Sequence, residues 1–96
     1  YAINRIGQVN ADLCFLGTNA IHSERGLTDN DWEVVQVKQA MIASSTKVAC
    51  LTISEKLNSA QPIKVCNMDK IDYLITELAT NDDRVNIFNN NKTIVL

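Results

Sequence analysis

Short apolar segments separated by polar stretches run along most of this 96-residue chain. The segments are rich in β-branched residues and too short for helices, so each is typical of a buried strand. A last segment of the same kind, Thr-Ile-Val-Leu, ends the sequence. The predicted strands cover residues 12–16, 47–53, 63–67, 72–76 and 93–96.

One longer segment has apolar residues at helical spacing instead. Residues 31–44 predict the main helix, and Asn30, three residues before Glu33, resembles the start of a capping box. Weaker patterns predict helices over residues 2–9 and 81–88. The apolar stripe predicted to cover a sheet consists of Val34, Val37, Met41 and Ile42.

The alternation of apolar strands with helices indicates an α/β fold. Strands that are apolar almost throughout form a mainly parallel sheet covered on both faces. A chain of this length has room for one domain with a modest core. We therefore expect residues 1–96 to form part of a single α/β domain, with a mainly parallel sheet flanked by helices.

A polar stretch joins the first predicted strand to the main helix, and we predict that it is a loop. Ligands of parallel α/β sheets bind beyond the carboxyl ends of the strands, where helix N-termini present free N–H groups. Gly17 allows a ligand to approach the backbone closely, and Thr18, Asn19 and Thr28 can donate hydrogen bonds. The pattern suits an anion site, although an ordinary connecting loop has the same composition.

Charge and hydropathy exclude several classes of function. The formal net charge is −2, with scattered basic residues, which argues against direct binding to nucleic-acid phosphates by this chain. No apolar run is long enough to span a membrane. Because the chain begins at Tyr1 without an initiator methionine or a leader, we expect a fragment, and its three widely spaced cysteines favour a cytoplasmic setting.

The cysteines and the histidine predict no metal or redox centre. Cys14, Cys50 and Cys66 lie far apart in apolar segments, and His22 is the one histidine of the chain. This spacing is typical of reduced, buried thiols rather than of metal ligands. We expect no cofactor, and we expect His22 on the surface of a loop.

Several short motifs follow one another in a fixed order. A strand that begins at Asp12 ends at Gly17, and Gly-Leu-Thr from Gly26 precedes a helix with the pattern Val-Lys-x-x-Met. A strand then leads to Lys56, and a later one ends in Leu-Ile-Thr before Glu77. Taken together, this ordered set resembles the effector-sensing C-terminal domain of the DeoR family of bacterial transcriptional regulators.

The resemblance implies a fold like that of ribose-5-phosphate isomerase and the CoA transferases, and a repressor that senses a phosphorylated sugar. Segments around Lys56 and Glu77 are similar to the lactose phosphotransferase-system branch, which implies tagatose 6-phosphate as effector. Ile53 and Glu55 stand where the family has an Asp and a Ser, so the hydrogen bonds of those two residues are not expected. Together with the residues of the polar stretch described above, the predicted ligand-binding residues are Asp12, Gly17, Thr18, Asn19, Gly26, Thr28 and Lys56.

The resemblance also implies parts that these residues do not contain. The phosphate-binding Gly- and Ser/Thr-rich loop of the family lies in the first half of the sensor domain, and a winged helix-turn-helix that binds DNA lies further upstream. Neither pattern occurs in this sequence. We therefore expect only part of the ligand pocket here, DNA contact only through the upstream domain, and assembly into a homo-oligomer.

Two other functions fit the same residues. Four acids, Glu24, Asp29, Asp31 and Glu33, surround the predicted loop. One of these carboxylates with Lys56 would supply the base and the proton donor of a sugar-phosphate isomerase, although acids also favour the first turn of a helix for capping alone. The second alternative is a module that only pairs subunits.

Overall fold

The computed structural model describes residues 5–89 and 92–96, which form two sheets with helices between the strands. The larger sheet is parallel, with the order β1-β4-β6-β7, and the smaller sheet is antiparallel, with the order β2-β3-β5. In chain order the elements are β1 (Ala11–Gly17), β2 (Ala20–His22), β3 (Gly26–Asp29), α1 (Trp32–Ala43), β4 (Ser45–Thr52), β5 (Ile63–Cys66), β6 (Tyr73–Thr76), α2 (Asp83–Asn86) and β7 (Ile94–Val95).

Strand β4 lies at the centre of the larger sheet, between β1 and β6. Leu16, Cys50 and Leu74 lie side by side in register on these three strands, and all three are buried. Apolar residues thus continue across the sheet as they do along each strand, which is typical of parallel sheets. The predicted mainly parallel α/β sheet is confirmed.

The stretch predicted to be a loop contains a β-hairpin instead, so that prediction is wrong. Strands β2 and β3 pair with Ile21 opposite Leu27, and both side chains are fully buried. The imidazole of His22 closes the turn, because its Nδ1 accepts hydrogen bonds from the N–H groups of Glu24 and Arg25 at 3.1 and 3.2 Å. Burial of these two large apolar side chains stabilises the hairpin, although the surrounding polar residues are typical of a loop.

Strand β5 belongs to the smaller sheet rather than to the parallel one. It pairs with β3, with Leu27 opposite Cys66 and Asp29 opposite Ile63. Its strand character was predicted correctly from the apolar pattern, but a short apolar run is compatible with either sheet.

Helix α1 packs on the sheets with a different stripe from the predicted one. Val35 is its buried residue, whereas Val34 is 37% exposed. Met41 and Ile42 do contact the core, from partly buried positions. Among the described residues no helix is both long and apolar enough to cross a membrane.

The N-terminal cap of α1 is Asp31, not Asn30. The Asp31 carboxylate accepts hydrogen bonds from the N–H groups of Glu33 and Val34 at 2.9 and 3.4 Å. A carboxylate satisfies otherwise free N–H groups there and interacts favourably with the helix dipole, so it is a better cap than a neutral amide.

The two faces of the larger sheet differ in how far other segments of the chain cover them. One face packs against α1, the hairpin and the segments around β6 and β7, and it contains most of the core. The opposite face exposes large apolar side chains of three strands, with exposed fractions between 41% and 54%. Cover on both faces was predicted, but within the described residues only one face is covered. We refer to the uncovered surface as the open sheet face; it consists of Leu13, Phe15, Leu51 and Ile94.

The two ends of the chain bear out the predictions only in part. The helix predicted over residues 81–88 is the single turn α2, capped by Asp82, and the last strand is reduced to β7. Residues 2–4 of the helix predicted over 2–9 lie outside the described residues. Residues 5 and 6 are helical, and the N–H groups of Gln8 and Val9 close a turn behind them.

We expect the substitution Gly26→Ala to lower the free energy of unfolding by at least about 2 kcal/mol. Gly26 has a φ of +85°, and an added Cβ would overlap the backbone carbonyl oxygen of Cys66 on the neighbouring strand. Urea unfolding measures the change. Gly17→Ala is the matched control, because an added Cβ there meets no atom within 4 Å; equal destabilisation by both substitutions would contradict this account of the hairpin.

Candidate functional site

The carboxyl ends of three neighbouring strands form one edge of the larger sheet. Strands β1, β4 and β6 are parallel, so Gly17, Thr52 and Thr76 end them at the same edge. Thr52 and Thr76 are direct partners in the register. We define the strand-end rim as Gly17, Thr18, Thr52, Thr76 and Glu77. Ligands of parallel α/β sheets bind at this edge, which makes the rim the candidate site.

Two threonine hydroxyls meet on the rim. Thr52 Oγ1 donates a hydrogen bond to Thr18 Oγ1 at 2.6 Å. The Thr18 hydroxyl also contacts the thiol of Cys50, whose pKa is raised to about 12, chiefly by burial. Because a hydroxyl has one donor and two acceptor positions, Thr18 retains capacity to bind a ligand oxygen or hydroxyl.

Lys38 joins α1 to both sheets beside the rim. Its ammonium donates a hydrogen bond to the carbonyl oxygen of Gly17 at 2.8 Å and forms an ion pair with Asp29 Oδ2 at 3.2 Å. The two side chains are 15% and 5% exposed, respectively, so solvent screens the pair less than it would screen a surface pair. Asp29 Oδ1 accepts a hydrogen bond from the N–H group of Asn30 at 2.7 Å. We refer to this arrangement as the Lys38 bridge.

Glu77 connects the ends of β4 and β6. Its Oε1 accepts hydrogen bonds from the Thr76 hydroxyl at 2.8 Å and from the N–H group of Ser54 at 2.9 Å. These hydrogen bonds, that of Thr76 first, hold the pKa of the Glu77 carboxyl below its usual value of 4.5. The segment after β4 is therefore fixed to the rim through a charged acceptor.

Two predicted ligand residues lie inside the hairpin rather than on the rim. Gly26 is buried at the start of β3, where its positive φ fits the turn. Thr28 is 3% exposed, and its hydroxyl accepts from the N–H group of Gln61 at 2.8 Å and donates to the carbonyl of Ala20 at 3.5 Å. Both residues hold the smaller sheet together in this structure, and a direct ligand contact by either stays a prediction.

The other predicted residues lie at different distances from the rim. Gly17 and Thr18 belong to it, and Asn19 follows them at a partly buried position. Lys56 ends the 3₁₀ turn Ser54–Lys56, which begins two residues after Thr52. Asp12 lies at the amino end of β1, five residues and roughly 16 Å from Gly17 along the strand. The structure thus brings Gly17 and Thr18 together on the rim and separates Asp12 from them.

Among the hollows of the described surface are three with volumes of 470, 720 and 430 Å³. Of the predicted ligand residues, only Gly17 lines one of them. That hollow, of 430 Å³, is bordered by Lys38 and Glu33 and by apolar side chains of β1 and α1. None of these three hollows is shared by Gly17, Thr28 and Lys56, and the ammonium that contacts Gly17 is that of Lys38.

Sequence reasoning missed the contribution of Lys38, Thr52 and Glu77. A usable signal existed for Lys38, because it lies three residues after Val35, and residues at that spacing share a helix face. Lys38 also lies four residues after Val34, but only apolar residues were assigned to the buried stripe. Thr52 and Glu77 occur at strand ends, where polar residues are common, so the sequence alone does not distinguish them.

The described residues contain no group of three or more His, Cys, Asp or Glu side chains placed to hold a metal ion. Cys14, Cys50 and Cys66 are free thiols. Burial raises the pKa of the Cys66 thiol to about 11, as it raises that of Cys50. Thiols with raised pKa values are poor nucleophiles at neutral pH, because little thiolate is present.

Comparison with known proteins identifies a family of regulators. The family model described as the DeoR C terminal sensor domain matches residues 1–78. The HTH-type transcriptional regulator GlpR of Haloferax volcanii is 33% identical over 70 residues, which are 73% of this chain and 28% of that protein. The Glycerol-3-phosphate regulon repressor of Haemophilus influenzae is 31% identical over 74 residues, 77% of this chain and 29% of that protein.

A third relative has the same coverage. The HTH-type transcriptional regulator GolR of Listeria innocua is 28% identical over 74 residues, 77% of this chain and 29% of that protein. The chain therefore spans less than a third of the length of each of these relatives. All three are named as regulators.

We expect Thr76→Val to raise the pKa of Glu77 toward 4.5, because the Thr76 hydroxyl is the largest cause of its lowered value. Since the folded-state pKa is lowered, the stabilising contribution of Glu77 is present above pH 4.5 and is lost as pH falls through the folded-state value. An NMR titration of the Glu77 side-chain carbon and the Ser54 amide measures the midpoint. The exposed Thr80→Val is the control, and a midpoint that Thr76→Val leaves in place would contradict the assignment.

Proposed function

The chain belongs to the DeoR C-terminal sensor domain family, and on that premise we propose that it forms part of the effector-sensing domain of a transcriptional repressor. The effector in this proposal is a small phosphorylated sugar or polyol that binds at the strand-end rim. The matched relatives are named as regulators, which supports binding rather than catalysis as the role of the domain.

The observation that carries the proposal is the convergence of hydroxyl groups and an ammonium group at one edge of the sheet. Thr18 and Thr52 present adjacent hydroxyls at 2.6 Å, and the ammonium of Lys38 lies 2.8 Å from the carbonyl oxygen of Gly17. Hydroxyls suit the hydroxyl groups of a sugar, and an ammonium suits a phosphate. Lys56, in the turn after β4, is the second cation assigned to the effector.

Segments outside this chain complete the pocket and the regulator in this proposal. The chain spans 28–29% of its relatives, so a phosphate-binding loop and a winged helix-turn-helix have room elsewhere in a protein of their length. DNA contact belongs to that upstream domain. The net charge of −2 supports this division, because phosphate-backbone binding needs concentrated positive charge.

Effector binding regulates DNA contact only through a difference in affinity between two conformations. A ligand shifts an equilibrium by its differential affinity for the two states and by nothing else. In the proposed mechanism the rim closes on the effector, and the closed state holds the DNA-binding domains of a homo-oligomer at a spacing that fits the operator poorly. Release from the operator relieves repression.

The proposed effector is tested by thermal and chemical unfolding of the complete regulator with a panel of phosphorylated compounds. Glycerol 3-phosphate is included because one relative is named for its regulon, and tagatose 6-phosphate because of the resemblance to lactose-system repressors. A true effector at about a hundred times its dissociation constant is expected to stabilise the regulator by about 2.7 kcal/mol.

We expect Thr18→Val to weaken binding of that effector about tenfold, as loss of a hydrogen bond to a ligand hydroxyl does.

The matched control is Thr46→Val, which removes an exposed hydroxyl near the amino end of β4. Chromatography of the compound after incubation distinguishes sensing from catalysis, since a sensor returns it unchanged and an isomerase converts it. Failure of every phosphorylated compound to stabilise the complete regulator would refute the proposed function.

A second candidate function, subunit assembly, is favoured by the open sheet face. Phe15 and Leu51 are 54% and 45% exposed on adjacent strands of that face. Contiguous exposed apolar surface is typical of protein interfaces. In this candidate role the open sheet face of one copy of the chain packs against that of a second copy.

For assembly we expect concentration-dependent self-association of the 96-residue chain in sedimentation velocity. The double substitution Phe15→Lys and Leu51→Lys is expected to shift the chain to monomer, because two ammonium groups cannot be buried in an apolar contact without partners. Ile87→Lys is the control, since Ile87 is 52% exposed but follows α2 and is not a residue of the open sheet face. A chain that stays monomeric up to millimolar concentration would rule out this role.

A further inference from the structure

We propose that Lys38 couples the bound effector to the β2–β3 hairpin by exchanging one anionic partner for another. In the structure its ammonium is paired with the carboxylate of Asp29. In the liganded state a phosphomonoester dianion replaces that carboxylate as the partner of Lys38, and Asp29 is released. This inference rests on the proposed sensing of a phosphorylated compound at the strand-end rim.

The ammonium of Lys38 is accessible to a ligand and has unused hydrogen-bonding capacity. Lysine can donate three hydrogen bonds, and within the described residues Lys38 donates two, to Gly17 and Asp29. It also borders the 430 Å³ hollow together with Gly17. A phosphate oxygen placed in that hollow can therefore reach the ammonium without first displacing any described residue.

A dianion is the stronger competitor once it is in place. The Coulomb attraction to an ammonium doubles when the partner carries two charges instead of one, and charge-assisted hydrogen bonds to phosphate are among the strong ones. Glu33 borders the same hollow and opposes an incoming anion. Its side chain is exposed, so solvent screens this repulsion more than it screens the Lys38 bridge.

Release of Asp29 has a structural consequence because of where Asp29 lies. It is the last residue of β3, it is 3% exposed, and it is opposite Ile63 of β5. A carboxylate that loses its cation is strongly destabilised if it stays buried. Asp29 must therefore move toward water, and the end of β3 and the start of α1 must move with it. The exchange thus converts phosphate binding at β1 into a displacement of the smaller sheet.

Two substitutions with opposite expected effects test the exchange in the complete regulator. Lys38→Met removes the shared cation and is expected to weaken binding of glycerol 3-phosphate and inorganic phosphate at least tenfold in calorimetric titrations. Asp29→Asn removes the competing carboxylate and is expected to tighten binding of the same two compounds about tenfold. A purely structural ion pair predicts weaker binding for both substitutions, because both disturb the fold.

Matched controls change the same charges elsewhere. Lys70→Met and Asp83→Asn alter exposed residues of the 3₁₀ turn Met68–Lys70 and of α2, and both are expected to leave phosphate affinity unchanged. If Asp29→Asn leaves affinity unchanged or lowers it in a folded protein, the exchange is wrong. If the unsubstituted regulator binds no phosphorylated compound of the panel, the proposed function itself is wrong.

A measurement on the unsubstituted regulator keeps the inference testable if Asp29→Asn does not fold. The N–H group of Asn30 donates to Asp29 Oδ1 at 2.7 Å, so its hydrogen exchange reports the position of that carboxylate. Saturation with a bound phosphorylated compound is expected to accelerate exchange at Asn30 severalfold while Cys50, at the centre of the larger sheet, stays protected. Unchanged or slower exchange at Asn30 would overturn the inference.

Discussion

The Lys38 bridge is the contact on which the geometry of the candidate site depends. The ammonium of the Lys38 side chain, which is 15% exposed, contacts the end of β1 at Gly17 and the end of β3 at Asp29, and α1 fixes its position. The next residue, Gln39, donates to the carbonyl of Val65 on β5 at 3.2 Å. Two consecutive side chains thus anchor the helix to both sheets. Because breaking a buried pair leaves an uncompensated charge, costing about 3–5 kcal/mol, these elements hold one relative position as long as the pair is intact.

The strands could be predicted from the sequence because each contains an apolar run whose burial dominates its local energetics. The runs around Leu16, Cys50 and Leu74 are of this kind, and the structure pairs them in one parallel sheet. The assignment of β5 to the second sheet was beyond sequence reasoning, since Val65 would be buried in either sheet. The hairpin was missed for a related reason: each of its strands contributes only one large apolar side chain, Ile21 or Leu27, to the core.

The sequence predicted that the candidate site lies at the carboxyl edge of the sheet, but it did not predict which side chains meet there. The carboxyl edge of the sheet follows from parallel topology, so Gly17 and Thr18 could be found from the first strand alone. Contacts between distant segments could not, because Thr18 meets Thr52 and Gly17 meets Lys38 only after the sheet and α1 have assembled. Lys38 lies on the same helix face as Val34 and Val35, but only apolar residues were assigned to that stripe, so its contact with Gly17 was not predicted.

Carboxylates already bind the polar groups at the rim and beside it, and this constrains how an anion can bind there. The carboxylate of Asp29 forms an ion pair with Lys38, and that of Glu77 accepts a hydrogen bond from the N–H group of Ser54. Among the described residues, no buried side-chain nitrogen or oxygen lacks a hydrogen-bond partner. Under the proposed function an effector therefore exchanges with internal carboxylates instead of filling an empty charge site. A bare phosphate gains only the difference between its own attraction to Lys38 and that of the carboxylate it replaces. Under the proposed function, selectivity among phosphorylated compounds then depends on groups that a bare phosphate lacks, namely hydroxyls that can reach Thr18 and Thr52.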